Sequence, residues 1–99
     1  MKVNLGSLIL KITRNNILYH ELIGLDVFIV KHLDPSLEGI KGKVVYETRN
    51  TILIRCGDKD KIVLKSGGKF KFYLDDGKEI LVNGDDIIGL PEDRVKRII

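Results

Sequence analysis

The side chains of this sequence best suited to chemistry are basic, and that chemistry is the neutralisation of phosphate. Lys41, Lys43, Arg49, Lys69 and Lys71, with Arg94, Lys96 and Arg97, have the types and spacing to follow a nucleic-acid backbone. Arg49-Asn50-Thr51 adds a forked guanidinium, an amide and a hydroxyl at what reads as a hairpin tip. The competing reading is that strand lysines merely protect sheet edges and keep the chain soluble. The net charge of +3 is too small to decide between them. Its distribution says more. Residues 34–71 carry nine Lys/Arg against five Asp/Glu, residues 72–93 carry one against seven, and Arg94-Val95-Lys96-Arg97 is basic again, so the surface is dipolar.

No set of residues suggests catalysis by the chain itself. A nucleophile with its base, a metal cluster or a pair of carboxylates in a cleft would be needed, and none is visible. His20 and His32 have no Cys or His at metal-ligand spacing and read as structural or surface histidines. Asp75-Asp76 and Asp85-Asp86 resemble metal-binding carboxylates, but Gly77 and Gly84 beside them favour turns, where Asp serves the backbone. Cys56 has no neighbouring cation to activate it and reads as a buried thiol. As the single cysteine it excludes an internal disulfide and favours an intracellular home. No catalytic residue, metal ligand or bound cofactor is expected.

These side chains need a scaffold. Ninety-nine residues with a 43% hydrophobic fraction fit one domain without repeat or linker. From Leu25 onward, short β-rich runs alternate with turn signals, which predicts an antiparallel barrel or sandwich over residues 25–89. The predicted strands are 26–31, 40–48, 51–56, 61–65, 69–74 and 78–82. Arg49-Asn50 has the length of a two-residue hairpin, with Asn50 able to take positive φ. Alternation places Phe70, Phe72 and Leu74 opposite Lys69, Lys71 and Tyr73, and Lys41 and Lys43 opposite Gly42 and Val44. In the fourth strand it sets Ile62 and Leu64 against Lys61, Val63 and Lys65, so outward lysines are expected on several strands. Gly39 and Gly42 suggest a sharp strand bend at a barrel corner.

The ends read as helical. Thr13 or Asn15 suits the cap of a short helix within 13–22, and Pro91, Glu92 and Asp93 before Arg94, Lys96 and Arg97 predict a helix over 91–98. Residues 1–12 hold Leu5, Leu8, Ile9, Leu10 and Ile12, which either cover a barrel end or await a partner. Lys11 interrupts that run and no small-residue cleavage site follows, so neither a signal peptide nor a membrane span is expected.

Taken together, several segments resemble one family, the archaeal and eukaryotic ribonuclease P protein component 1. They are His20-Glu21-Leu22-Ile23-Gly24-Leu25, Pro35 through Val45, Glu47-Thr48-Arg49-Asn50-Thr51, Phe70-Lys71-Phe72 with Leu74 and Asp76-Gly77, Asn83-Gly84-Asp85, and Gly89-Leu90-Pro91-Glu92-Asp93-Arg94 with Lys96-Arg97. The resemblance runs from about His20 to Arg97. It implies a mainly β fold, an Sm-like (SH3-like) antiparallel β-barrel of about six strands with short terminal helices. It also implies a non-catalytic subunit that supports removal of the 5′ leader from precursor tRNA, with magnesium on the RNA. The implied partners are ribonuclease P RNA, a zinc-ribbon protein subunit and other ribonuclease P proteins. The resemblance further implies RNA contact by Arg49, Asn50, Thr51, Arg94, Lys96 and Arg97, and partner docking by Leu8, Ile9, Ile12, Ile17 and Leu18. The chain lacks the long basic N-terminal extension of eukaryotic members and looks archaeal, with a cytoplasmic location. A ribosomal or transcription-associated RNA-binding barrel is the alternative. A peptide-binding barrel of SH3 type is poorly supplied with aromatics, and a stand-alone hydrolase lacks its residues.

Overall fold

The computed structural model of the chain describes residues 16–96. It contains six strands: β1 (Asp26–His32), β2 (Lys41–Glu47), β3 (Thr51–Cys56), β4 (Lys59–Leu64), β5 (Gly68–Tyr73) and β6 (Glu79–Asn83). All pairings are antiparallel, in the order β4-β3-β2-β1-β5-β6. The edge strands β4 and β6 are not hydrogen-bonded to each other, so the barrel-like sheet stays open. Val63 of β4 and Val82 of β6 nevertheless share one buried cluster with Val27, Ile29, Ile54, Phe70 and Phe72, which means the sheet curls around a single core. Each fully buried Ile or Phe there contributes roughly 1.5–3 kcal/mol of transfer free energy.

The turns explain the strand limits. Gly57, with φ +65°, and Asp58 join β3 to β4 as a two-residue hairpin, since Cys56 pairs directly with Lys59. Positive φ at the first central residue matches the right-handed twist of the strands, so β4 starts two residues earlier than the alternation suggests. Between β5 and β6, Asp76 accepts the Lys78 N–H through Oδ1 at 3.0 Å and Gly77 turns the chain at φ +87°. Asp75 lies exposed in the same turn. Asp85 accepts the Gly67 N–H at 3.4 Å from a 3-10 turn over Gly84–Ile87.

Two bulges break strict alternation. One falls between Ile29 and Lys31 on β1, the other between Val44 and Tyr46 on β2. The second turns Tyr46 outward and Glu47 inward. Gly42 answers a close approach: a Cβ there would overlap the Arg55 carbonyl and sit 2.8 Å from Ile54 Cγ2.

The structure corrects two expectations. On β4 and just after it the inward residues are Val63 and Lys65, while Ile62 and Leu64 are 74% and 56% exposed; Lys65, expected to face outward, is fully buried. Asn50 does not take positive φ, because no residue other than glycine does so among those described. The loop between β2 and β3 is instead clasped by its flanks, with Thr48 N–H donating to Thr51 O at 2.9 Å and Thr51 N–H to Thr48 Oγ1 at 3.0 Å. Of the helix expected over 13–22, Thr13 and Asn15 lie outside the described residues, and Ile17–Tyr19 form a 3-10 turn. The C-terminal helix, α1, runs Pro91–Lys96 with acids in its first turn and bases in its last, as its dipole favours.

Candidate nucleic-acid interface

The β-ladder registers assemble four of the expected basic residues on one surface. Lys41 of β2 and Lys71 of β5 both pair with Phe28 of β1, so Lys41–Phe28–Lys71 form a row across three strands. Lys43 and Tyr73 both pair with Asp26, giving a parallel row Lys43–Asp26–Tyr73. Lys69 pairs with Lys31 one row beyond. Inner positions of these strands, such as Val27, Val44, Phe70 and Phe72, are buried, so all of these lysines lie on the outer face. Carboxylates temper the charge: Lys43 lies 3.2 Å from Asp26 and Lys71 3.5 Å from Glu79. Such exposed pairs are worth little and exchange readily for a phosphate.

Arg49, Asn50 and Thr51 stand elsewhere, at the β2–β3 tip beside α1. The Gly89 N–H donates to Arg49 O at 2.7 Å, and the exposed Arg49 guanidinium is 3.9 Å from Asp93 of α1. Lys96 is exposed on that helix, and Arg97 lies outside the described residues. The basic residues therefore fall into two groups, a sheet face and a corner formed by the tip and the helix.

Arg94 belongs to neither surface. Expected to meet RNA, its side chain is 1% exposed and its donors are engaged. It donates to Glu47 Oε2 at 2.6 Å, to Leu18 O at 2.6 Å, to His20 O at 2.8 Å, to Ile87 O at 3.0 Å and to Gly89 O. Lys65, 0% exposed, donates to the same Glu47 Oε2 at 2.8 Å and to the carbonyls of Thr48, Gly89 and Arg49 at 2.7, 2.9 and 3.2 Å. The carbonyls solvate both cations in place of water, which a buried charge requires. One carboxylate and two cations thus tie together the segment before β1, the end of β2, the Arg49 tip, the end of β4 and α1. Arg94 cannot turn to a phosphate without vacating this network, so its part is to hold the tip and helix in place. Sequence reasoning missed Lys65 and Glu47. The inward parity of Lys65 with Val63 was the available signal for the first; the β2 bulge concealed the second.

The partner-docking residues separate in the same way. Leu8, Ile9 and Ile12 lie outside the described residues. Ile17 is 2% exposed and part of the core, and Leu18 packs against it half-buried. The exposed apolar side chains instead include Tyr46 and Ile62, which flank half-buried Leu53 in one cross-strand row, with Leu64 on the same face. Arg55 and Asp60 extend this outer face with a bidentate pair at 2.8 and 3.0 Å, and the hydrogen-bonded guanidinium holds the Asp60 carboxyl below its ordinary range.

The remaining candidates are structural. His32 accepts the Asp34 N–H on Nδ1 at 2.9 Å, so its proton sits on Nε2, which donates to Leu64 O at 3.0 Å. His20 contacts Glu21 O at 2.9 Å. Cys56 packs half-buried against the core. Among the described residues no cluster of His, Cys, Asp and Glu could hold a metal ion, and no helix is long and apolar enough to cross a membrane.

Comparison with known proteins gives a consistent result. Residues 15–97 match the family described as ribonuclease P/MRP, subunit p29. Ribonuclease P protein component 1 of Staphylothermus marinus is 44% identical over 88 residues, spanning 88% of this chain and 96% of that protein. The protein of the same name from Methanococcus aeolicus is 53% identical over 90 residues, spanning 89% and 93%. The solved structure of Mth11, a homologue of the human RNase P protein Rpp29, superposes with a TM-score of 0.58 at 38% identity, covering 76% of this chain and 97% of that one.

Proposed function

The chain belongs to the ribonuclease P/MRP subunit p29 family, and on that premise we propose that it is a non-catalytic subunit binding ribonuclease P RNA and a zinc-ribbon protein subunit. In this role it supports removal of the 5′ leader from precursor tRNA in the cytoplasm, while the RNA performs the cleavage. The observation that carries the reading is the outer sheet face where Lys41, Lys43, Lys69 and Lys71 converge. Lysines on a common face neutralise successive phosphates, and the counterions they release drive association. The corner with Arg49, Asn50, Thr51 and Lys96 offers a second contact, where a forked guanidinium suits bidentate phosphate binding. The Tyr46–Leu53–Ile62 row with Leu64 supports a protein partner, because exposed apolar surface of this kind is stabilised by being covered.

Reconstitution tests the proposal. Purified chain alone should leave precursor tRNA intact, and adding it to ribonuclease P RNA with the sister protein subunits should raise the rate of 5′ leader removal. An unchanged rate would show that the RNA-supporting role is wrong. Cleavage by the purified chain would show that the non-catalytic role is wrong.

A further inference from the structure

We propose that Phe28 and Tyr73 form a stacking platform for unpaired RNA bases, set among the lysines of the outer face. The inference rests on the RNA-binding reading and gives it a chemical class of target, single-stranded nucleotides. Both rings lie on the outward side of β1 and β5, half-buried, while Phe70 and Phe72 already fill the inward side. Their immediate neighbours are cations. Lys41 and Lys71 flank Phe28 directly in the ladder, and Lys43 lies in the row of Tyr73. Lys41 reaches over β1 to bring Nζ within 5.2 Å of the Tyr73 ring centroid, and Lys71 Nζ stands 6.0 Å from that of Phe28.

This alternation of ring and ammonium is what a single strand requires. Bases stack on the π-faces while phosphates track the cations, and every base has such a face, so the contact tolerates sequence. A duplex keeps its base faces stacked on one another and offers only phosphate and groove edges. In the free chain the ammonium groups occupy the rings; on binding they move a short distance to the phosphates on either side of the stacked base. The carboxylates of Asp26 and Glu79, paired with Lys43 and Lys71, resist crowding of further phosphates and restrict the site to the strand that the rings hold.

Single-stranded RNA carrying 2-aminopurine, the same RNA annealed to its complement, and intact ribonuclease P RNA are the probes. Wild-type protein should quench the 2-aminopurine fluorescence and bind the single strand more tightly than the duplex. Phe28→Leu and Tyr73→Leu keep apolar bulk but remove the ring. Each should weaken single-strand binding by about 5- to 150-fold, with the salt dependence unchanged, and Tyr73→Phe should bind as wild type. Leucine variants that bind the single strand like wild type, or a wild type that leaves the fluorophore unquenched, would overturn the platform. If ribonuclease P RNA is still bound in that case, the subunit reading stands without it. Wild-type protein that binds none of the three RNAs overturns both.

Discussion

Burial alone separates basic residues that look alike in sequence. Arg49 and Arg94 both lie in basic, motif-like segments, but Arg49 is 68% exposed in its side chain and Arg94 1%. Removing an exposed cation leaves water to solvate what remains, whereas removing a buried one strands its partners. Arg94→Ala and Lys65→Ala should each destabilise the fold by about 3–5 kcal/mol, and Arg49→Ala by less than about 0.5 kcal/mol, measured by chemical denaturation. Arg49→Ala should still weaken RNA binding. Equal stability losses at Arg49 and Arg94 would contradict the network. The result also bears on any charge-removal experiment on this chain: loss of RNA binding in an Arg94 variant is to be read beside its stability, because the same substitution opens the buried network.

At the scale of elements, bulges and close approaches decide which side chain faces which way. The β2 bulge turns Glu47 into the core, where it meets Lys65 and Arg94, and sends Tyr46 to the surface. Before the bulge, β3 passes Gly42 of β2 so closely that a methyl group would overlap the Arg55 carbonyl. Gly42→Ala should therefore force β2 and β3 apart and cost about 1–3 kcal/mol or more, as overpacking does, read as a fall in the denaturation midpoint. Because Lys41 and Lys43 flank this glycine, the same variant should also weaken RNA binding. Wild-type stability in Gly42→Ala would show that the strands are not held this tightly. The β3–β4 hairpin shows the same logic in reverse. Gly57 permits a two-residue turn, and the early start of β4 gives Asp60 its place beside Arg55.

At the scale of the whole molecule, the strand order of the sheet matters most. It places β2, β1 and β5 side by side although β3 and β4 intervene in the chain, and so joins Lys41 and Lys43 to Lys69 and Lys71. Replacing all four with alanine should lower RNA affinity and flatten its dependence on salt by about 0.7 for each phosphate that is no longer neutralised on a single strand. Lys59→Ala, on the edge strand β4, should leave the slope unchanged. A quadruple variant with the wild-type slope would mean that phosphates are met elsewhere, at the corner of Arg49 and Lys96.

The sequence by itself determined the strand-and-turn plan, since turn chemistry and two-residue alternation act over a few residues: β3 falls where it is expected, and Phe70 and Phe72 face inward beside an outward Lys69 and Lys71. It also supplied the motifs that resemble the family. Tertiary structure alone decided the pairing of β1 with β5, the inward turn of Glu47 and the burial of Lys65 and Arg94. These depend on contacts between segments far apart in the chain, where one carboxylate and a set of backbone carbonyls together solvate two charges that water would otherwise hold. A lysine or arginine in sequence carries its charge, but only the packed fold fixes whether that charge stays at the surface or is buried to hold the strands together.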